Sequence, residues 1–251
     1  MNGIYTIWLR ELKRFIRAKP RLIGSLMMPF IWLAIMGVGL SSSFTVPNSG
    51  INYLKFISPG IIGMSLLFTS IFSAISVIWD KQFGFLKEML VAPISRTSIV
   101  VGKVVGSVTI SLINALMVLV IAVVLGGISL ADLSLMSMLS AVLFMILISV
   151  SFVSIGLAIA SKLNNLEGFQ VIMSSLVMPL FFLSGAFFPI ENVPLWMKTL
   201  AHIDPLMYGV DGLRASLLGV SQFSILFDLS VLAAFSVAMI LFSSFLFRKM
   251  N

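Results

Sequence analysis

The stretch MSMLSAVLFMILISVSFVSIGLAIAS, residues 136–161, decides the fold of this chain. It runs for 26 residues without one Asp, Glu, Lys, Arg or His. A helix rises 1.5 Å per residue, so about 20 apolar residues are enough to cross the roughly 30 Å hydrocarbon core of a bilayer. This stretch therefore predicts a transmembrane helix.

The composition extends this prediction to the whole chain. Of 251 residues, 59% are hydrophobic and 10% are charged, whereas soluble domains average about 45–50% and about 25%. A core of this size cannot bury so much apolar surface, so the excess must face lipid. The net charge of +7 comes from basic residues at the ends of apolar runs, which argues against a nucleic-acid partner. The absence of cysteine excludes disulfides and thiolate chemistry.

Five further apolar runs have the length of a span, which predicts an all-α, polytopic protein with six transmembrane helices. We find no ionisable side chain within these predicted spans. No fixed-period repeat or linker divides residues 1–251, so we interpret them as a single membrane domain. The predicted spans are approximately Leu22 to Leu40, Phe56 to Trp79, Val104 to Leu125, Met136 to Ser161, Gly168 to Ile190 and Leu229 to Phe247.

Lys and Arg are distributed unevenly between the two sides of the predicted bundle. Loops rich in these residues are retained on the cytoplasmic side of a membrane. An amino terminus inside the cell places 13 of the 16 basic residues in the cytoplasm and leaves Lys55, Lys198 and Arg214 outside. The sequence therefore predicts a multi-pass protein of the cell membrane with both termini in the cytoplasm.

The region before the first span, residues 1–21, is predicted to contain an amphipathic helix. Apolar side chains including Trp8 recur on one side at about 100° per residue, and Arg10, Arg14 and Arg17 fall on the other side. Such a helix lies in the interface with its cations toward anionic lipid. It is either a plain topological anchor or a helix that also contacts a cytoplasmic partner.

Two packing features accompany the spans. Gly102 and Gly106 form a GxxxG pattern, which is typical either of ordinary helix packing within one chain or of a dimer contact. Pro29, Pro59 and Pro179 remove backbone donors within predicted spans and predict kinks there.

The side chains that ion coupling or catalysis requires are missing. A proton- or sodium-coupled transporter usually buries ionisable residues near the membrane centre, and the nine acidic residues all fall in loops or at span edges. His202 is the only histidine, which argues against zinc proteases and serine triads. Lys103 follows Gly102 without the rest of the phosphate-binding pattern. We therefore predict that this chain has no catalytic residue, no metal site and no cofactor. We also predict that it is not an enzyme.

The loop between the second and third spans is long and patterned. It includes WDKQFGFLKEMLVAPISRTSIVVGK, residues 79–103. An apolar strip from Phe83 to Val91 at helical spacing predicts a short helix, and Pro93 ends it. An interfacial helix and a protein-docking helix both fit this pattern.

The segment after the fifth span is also unusual. Gly185 and Pro189 break the span, and the pieces that follow are too short to cross a membrane. They are apolar enough to form re-entrant or interfacial helices at the outer leaflet. The three-residue spacing of Asp211 and Arg214 predicts a surface ion pair on one helix face.

Residues 79–103 resemble the cytoplasmic coupling segment of ATP-binding-cassette (ABC) transporter type-2 permeases, a family that includes drug, polysaccharide and nodulation-factor exporters. The family's Ala-Pro-hydrophobic-Ser-Arg element is present at residues 92–96. Residues 182–214 are similar to the family's pattern of Phe-Leu-Ser-Gly, Phe-Pro, Pro-x-Trp, Asn-Pro-Leu and Asp-x-x-Arg. Two positions depart from it, since Asp204 stands where Asn is usual and Gln82 where an acidic residue is common. The family's Asp-x-x-Phe-Gly-Phe-Leu core is present as Asp80, Phe83, Gly84, Phe85 and Leu86.

The resemblance implies a homodimer, or a heterodimer with a related permease, bound to two ABC ATPase subunits that hold ATP and Mg²⁺. The amino-terminal helix, with Trp8, Arg10, Arg14 and Arg17, would be the family's interface helix. Residues 80–103 would be the cytoplasmic coupling segment, and residues 185–228 an external gate segment. The implied ATPase-coupling residues are Asp80, Phe83, Gly84, Phe85, Leu86, Glu88, Pro93 and Arg96. The implied gate residues are Gly185, Pro189, Trp196, Pro205, Asp211 and Arg214.

The sequence thus predicts the membrane-spanning permease subunit of an ATP-driven exporter. Its 21 Phe and 16 Met offer soft apolar contacts, against three Tyr and four Trp that could stack on sugars. This composition favours an amphipathic or lipid-like substrate such as a drug, lipid or glycolipid. Two alternatives are a channel or facilitator that needs no ATPase and a membrane assembly protein that recruits a cytoplasmic partner.

Overall fold

A computed structural model describes residues 3–42, 50–85, 91, 95–129, 133–163 and 165–248. The side chains of Arg21, Arg96, Asn192, Phe247 and Arg248 lie outside that description. Helices form the framework throughout the described part, as the sequence predicted. They are α1 (Gly3–Arg17), α2 (Lys19–Ile31), α3 (Tyr53–Ser73), α4 (Ile75–Gln82), α5 (Arg96–Val124), α6 (Leu135–Lys162), α7 (Leu166–Leu183), α8 (Leu195–Ile203), α9 (Pro205–Leu218) and α10 (Ile225–Arg248).

Among the described residues, six helices are long and apolar enough to cross a membrane, as the sequence predicted. Two of the six are irregular: α2 continues through a π-helical stretch, Trp32–Gly37, and α3 meets α4 at a turn around Ala74. The six spans are Leu22–Ser41, Tyr53–Gln82, Thr97–Val124, Leu135–Lys162, Leu166–Leu183 and Ile225–Leu246.

Several helix ends differ from the sequence-based spans. Polar caps start the helices earlier, since Asn52 and Ser95 each accept a hydrogen bond from a backbone N–H three residues on. The fifth span ends at Leu183 rather than near Ile190, because Gly185 takes a left-handed conformation with φ of 72°.

The longer helices include ionisable residues that the apolar runs left out. Asp80 lies in α4, Lys103 in the second turn of α5 and Asp228 in the first turn of α10, and all three are buried. The prediction that the spans contain no ionisable side chain is therefore wrong at the helix ends. An apolar-run count stops at the first charge, whereas a helix continues wherever that charge finds partners.

Helix α3 lies at the centre of the bundle, packed against α2, α5, α6 and α9. Close approaches to it depend on glycine. A Cβ on Gly60 would lie 2.5 Å from the carbonyl oxygen of Ala186, and one on Gly156 would lie 2.9 Å from that of Ile71. The chain just after α7 is therefore packed directly against α3.

The predicted proline positions fall inside helices. Pro29 lies in α2, three residues before its π-helical stretch begins, and such stretches are a recognised cause of helix irregularity. Pro59 and Pro179 lie within α3 and α7, which continue past them.

Candidate functional site

Helix α1 packs along the first half of α5. Ile7, Glu11 and Phe15 form its buried stripe, at the four-residue spacing of one helix face. A Cβ on Gly102 would lie 2.9 Å from the Cβ of Ile7, and one on Gly106 would lie 3.1 Å from the Cβ of Glu11. The GxxxG pattern thus accommodates α1 within the same chain, as ordinary intramolecular packing.

The predicted amphipathic helix is present as α1, but its buried stripe includes the acidic Glu11. Ile4 and Ile16, which the sequence pattern places on the apolar side with Trp8, are exposed. Trp8 donates a hydrogen bond from Nε1 to Oγ1 of Thr109 in α5, at 3.1 Å. Glu11 is buried because α1 packs against α5, where Lys103 pairs with it.

Four charged residues meet where α1, α4 and α5 come together, and we call them the ionic cluster: Arg10, Glu11, Asp80 and Lys103. The Lys103 ammonium lies 2.6 Å from Oδ2 of Asp80 and 3.3 Å from Oε1 of Glu11, and it also donates to Ser76 at 3.3 Å. Arg10 donates to both oxygens of Asp80, at 2.8 and 3.3 Å. Asp80 therefore links the end of the second span to both other helices.

Burial makes the balance of charge in this cluster decisive. Lys103 is 1% exposed and Asp80 is 2% exposed, so each would be very unfavourable without a partner. Two carboxylates face two cations, and the set is neutral. Because Asp80 accepts its hydrogen bonds, the pKa of the Arg10 guanidinium is held above its usual value.

The chain leaves the ionic cluster through a sharp turn that projects two aromatic rings. Phe83 is 73% exposed and Phe85 is also exposed, while the Arg10 guanidinium lies 5.5 Å from the centre of the Phe85 ring. Gly84 between them has φ of 79°, and its N–H donates to the carbonyl of Lys81, which closes the end of α4. The left-handed backbone conformation thus explains why glycine occupies this position.

The base of this turn is fixed to α6 as well. The Lys81 ammonium donates to the carbonyl oxygens of Ala160, Ser161 and Leu163 at 3.0, 2.8 and 3.1 Å. These carbonyls belong to the carboxyl end of α6, where a cation also complements the helix dipole.

The remaining predicted coupling residues are only partly described. Leu86, Glu88 and Pro93 lie outside the described residues, and so does most of the predicted short helix. Arg96 begins α5, after the capping residue Ser95, but its side chain is outside the description. The coupling role of all these positions stays a prediction.

A cavity of about 430 Å³ opens between α1, α2, α3, α5 and α7. None of its described lining side chains is charged. Aromatic rings and thioethers dominate the wall, among them Met28, Trp32, Phe68, Phe72, Met178, Phe181 and Phe182.

One polar position interrupts the apolar wall of this cavity. Ser25 and Thr69 line it, and both bind the amide of Asn114, which is fully buried in α5. Ser25 donates to Oδ1 of Asn114 at 3.0 Å, and Asn114 Nδ2 donates to Oγ1 of Thr69 at 2.8 Å. The cavity therefore offers apolar contact together with neutral hydrogen-bonding groups.

At the end of the bundle opposite α1, residues 185–228 form what we call the distal segment. It brings Gly185 and Arg214 together, since Nη2 of Arg214 donates to the carbonyl of Gly185 at 2.9 Å. The guanidinium also lies 4.2 Å from the centre of the Phe56 ring in α3. Burial lowers the pKa of Arg214 to about 10, so the side chain keeps its charge at neutral pH.

The predicted ion pair of Asp211 and Arg214 is not a surface pair. Both residues are buried, and Nη1 of Arg214 lies 3.9 Å from Oδ1 of Asp211, a loose contact. Asp211 instead accepts hydrogen bonds from the backbone N–H groups of Gln222 and Phe223, at 2.9 to 3.0 Å. The surface prediction is wrong because α9 is buried in the bundle against α3, α6 and α10.

The other predicted gate residues take separate positions. Pro205 begins α9 and is buried, Pro189 precedes a 3₁₀ turn, and Trp196 is exposed on α8. The structure therefore unites Gly185, Asp211 and Arg214 but leaves Trp196 at the surface.

Sequence reasoning missed three central residues: Glu11, Lys103 and Asn114. Glu11 could have been noticed, since it stands between Ile7 and Phe15 on one helix face. Lys103 follows the first glycine of the GxxxG pattern, where a charge is unexpected. No comparable signal distinguishes Asn114.

Comparison with known proteins identifies the family. The ABC-2 type transporter family matches residues 2–218. The transport permease ycf38 of Cyanophora paradoxa is 32% identical over 205 residues, which cover 80% of this chain and 70% of that protein. The inner membrane transport permease YadH of Escherichia coli K12 is 26% identical over 94% of this chain and 91% of its own length. Nodulation protein J of Rhizobium leguminosarum is 24% identical over 97% and 93%. The chain belongs to the ABC-2 type transporter family, as a multi-pass transport permease.

Proposed function

We propose that this permease is the membrane subunit of an ATP-driven exporter and that a separate ABC ATPase docks on the turn after α4. The observation that carries the proposal is the pair of exposed rings, Phe83 and Phe85, on a turn fixed by the ionic cluster. Aromatic side chains that protrude from a rigid support are typical anchors of protein interfaces. ATP and Mg²⁺ are held by that ATPase, and this chain contributes no catalytic group.

The contacts behind the turn provide a path for movement. A displacement of Phe83 acts on Asp80 three residues earlier, and Asp80 is bound to α1 through Arg10 and to α5 through Lys103. Lys81 links the same turn to α6. ATP-driven closure of the ATPase would therefore move α1, α5 and α6 together.

The cavity supports an amphipathic or lipid-like substrate, such as a drug, lipid or glycolipid. Its rings and thioethers suit an apolar body, and the neutral hydroxyls of Ser25 and Thr69 suit an uncharged polar group. A substrate with a permanent charge at that depth would find no partner in the described wall.

We further propose a dimer in which a second permease copy, most simply an identical one, covers the cavity side of the bundle. Met28 of α2 and Met178 and Phe182 of α7 line the cavity and are also exposed. The substrate would then move along the contact between the two copies. Apolar faces of this kind must be covered by lipid or by protein.

The basic residues support an orientation with both termini in the cytoplasm and the distal segment outside the cell. Lys13 and Arg17 of α1 are exposed beside Arg14, whose guanidinium lies 4.7 Å from the centre of the Trp79 ring. A cationic helix surface at a membrane boundary attracts anionic lipid headgroups.

The test compares two substitutions with matched exposure. Phe83 and Ile203 are each 73% exposed, but Ile203 lies on α8 at the opposite end. Purified in mild detergent, the wild-type chain and the Ile203→Asp variant should retain an ABC ATPase, identified by its mass and its ATP hydrolysis. The Phe83→Asp variant should lose it, together with vanadate-sensitive export from cells.

Two outcomes contradict the proposal. Transport that persists after removal of every ATPase supports the channel or facilitator. ATPase binding without any vanadate-sensitive transport supports an assembly protein.

A further inference from the structure

Asp204 occupies the junction between α8 and α9 in the distal segment. Its Oδ1 accepts a hydrogen bond from the N–H of Leu206 at 2.9 Å, so the side chain caps the amino end of α9. The residue is only 2% exposed, and its Oδ2 has no hydrogen-bond partner in the described part of the chain. One of the two carboxyl oxygens is thus buried without a hydrogen-bond partner in the described part.

No described cation neutralises Asp204. On α9, Arg214 is engaged by Gly185 and Asp211, and the Tyr208 hydroxyl donates to the carbonyl of His202. On α8, the exposed His202 ring contacts the carbonyl of Lys198. Burial, and after it the carboxyl groups of Asp228 and Asp204, raise the pKa of Tyr208.

Lys162 and Glu167, on α6 and α7, lie at the opposite end of the bundle. Lys55 in the first turn of α3, Lys198 on α8 and Glu191 in the 3₁₀ turn lie at the distal end. Among the described contacts, none of these side chains pairs with Asp204. Among the described residues, Asp204 therefore has one hydrogen-bond donor, the N–H of Leu206, and no paired cation. Burial raises its pKa to about 8.

Helix α8 is held to α9 by a small apolar contact and by the hydrogen bond from the Tyr208 hydroxyl to the carbonyl of His202. Ala201 is the buried residue of α8, and it packs with Ile190 and Met207 in a cluster separate from the main core. Leu195 and Ile203 on the same helix are exposed. Because the area buried between α8 and α9 is small, few contacts are lost if α8 moves away from α9.

We infer that Asp204 is a proton-controlled latch of the distal segment. Protonated, it caps α9 within the closed α8–α9 junction. Ionised, its carboxylate must reach water, and α8 separates from α9 to admit it. No step of this latch requires the ATPase or a substrate, so its test is independent of the export proposal.

The direction of the pH effect follows from the two states of the carboxyl group. In the closed junction the pKa is about 8, and in an open, hydrated junction it has the ordinary value near 4. The open form therefore holds fewer protons. Its population relative to the closed form rises by up to tenfold per pH unit between these two values and levels off above about pH 8.

The absence of cysteine permits an unambiguous reporter. We would introduce Ala201→Cys, buried in the junction, and in a second protein Thr199→Cys, exposed on the same helix. The rate of maleimide labelling is measured on the purified full-length chain from pH 5.5 to 8.5. The ratio of the two rates removes the pH dependence of the thiol itself, and we expect it to rise at least tenfold.

Two neutral capping variants identify the titrating group. Asp204→Asn and Asp204→Ser both retain an oxygen that can cap α9, so at least one should fold. In either background the ratio should change by less than about twofold over the same range. His202 lies on the same helix as both reporters, so His202→Gln is the matched control and should keep the rise.

Three results would overturn the latch. The ratio could stay flat in the chain with Asp204, or it could rise equally in both capping variants. The rise could also disappear in His202→Gln or in Asp228→Asn while Asp204→Asn retains it, which would assign the titration to another residue.

Discussion

The two ends of this permease bury charge in opposite ways. Near α1, two carboxylates face two cations, and every member of the ionic cluster has a partner within 3.3 Å. In the distal segment three carboxyl groups, Asp204, Asp211 and Asp228, are buried, and the buried cation Arg214 contacts only Asp211, at 3.9 Å. Three of the carboxyl oxygens have no hydrogen-bond partner in the described part of the chain. A cluster with balanced charges favours one arrangement of helices. Around an unbalanced cluster, the arrangement depends on which carboxyl groups are protonated.

The largest expected effect comes from unbalancing the end near α1. Lys103→Met removes a fully buried cation and leaves Asp80 and Glu11 to face each other. We expect a loss of about 3–5 kcal/mol in the free energy of unfolding, because an unpaired buried charge is left behind. Unfolding of the purified protein in detergent measures it.

A double substitution separates charge from packing at this position. If the imbalance is the cause, Glu11→Gln added to Lys103→Met should recover part of the loss. A Lys103→Met variant as stable as the wild type would show that the ionic cluster contributes nothing to this end.

The next effect tests the close contact that brings Arg10 and Glu11 to their partners. Gly102→Ala places a methyl group 2.9 Å from the Cβ of Ile7 and 3.1 Å from the carbonyl of Ile4. We expect α1 to separate from α5 at a cost of about 1–3 kcal/mol, as for other overpacked contacts. Faster tryptic cleavage after Arg14 and Arg17 would report it.

Gly24 provides the matched control for that substitution. It also lies within a helix, but a Cβ there meets no atom within 4 Å. Gly24→Ala should stabilise its helix by about 0.5–1 kcal/mol and leave the cleavage pattern unchanged. Equal cleavage of both variants would contradict a role for Gly102 in accommodating α1.

The sequence predicts the framework of both ends but not their electrostatics. The six spans can be predicted from the length of the apolar runs alone, because the thickness of the membrane sets the minimum length of a crossing helix. The ionic cluster could not be predicted, because Lys103 lies 92 residues from Glu11 and 23 from Asp80. Only the packing of α1 into the position opposite Gly102 and Gly106 brings these charges together.

In the distal segment the sequence identified the right residues with the wrong surroundings. Gly185, Asp211 and Arg214 were predicted there, and the structure brings all three together. The ion pair was placed at the surface because helical spacing carries no information about burial. Whether α9 faces water or the bundle depends on α3, α6 and α10 around it, which no local pattern encodes.

A smaller effect is expected at the turn after α4. Gly84→Ala forces a side chain into φ of 79°, at a cost of about 1 kcal/mol. Gly126→Ala carries the same strain at φ of 82° after α5. Both should lose similar stability, but Gly84→Ala alone should lower the ATP hydrolysis of a copurified ATPase. Equal rates of ATP hydrolysis in the two variants would show that Gly84 has no role in coupling.

The sharpest comparison uses one chemical change that should have opposite signs at the two ends, with its smaller effect in the distal segment. Asp80→Asn removes a charge that Lys103 and Arg10 require, and we expect it to destabilise the protein by about 3 kcal/mol. In the described part of the chain, neither carboxyl oxygen of Asp228 has a hydrogen-bond donor, and the carboxyl of Asp211 lies beside it. Asp228→Asn removes like charge and supplies an amide donor, so it should stabilise by about 1 kcal/mol. Unfolding of both variants at pH 8 measures the two signs, and a shared sign would mean that the two ends respond alike to loss of charge.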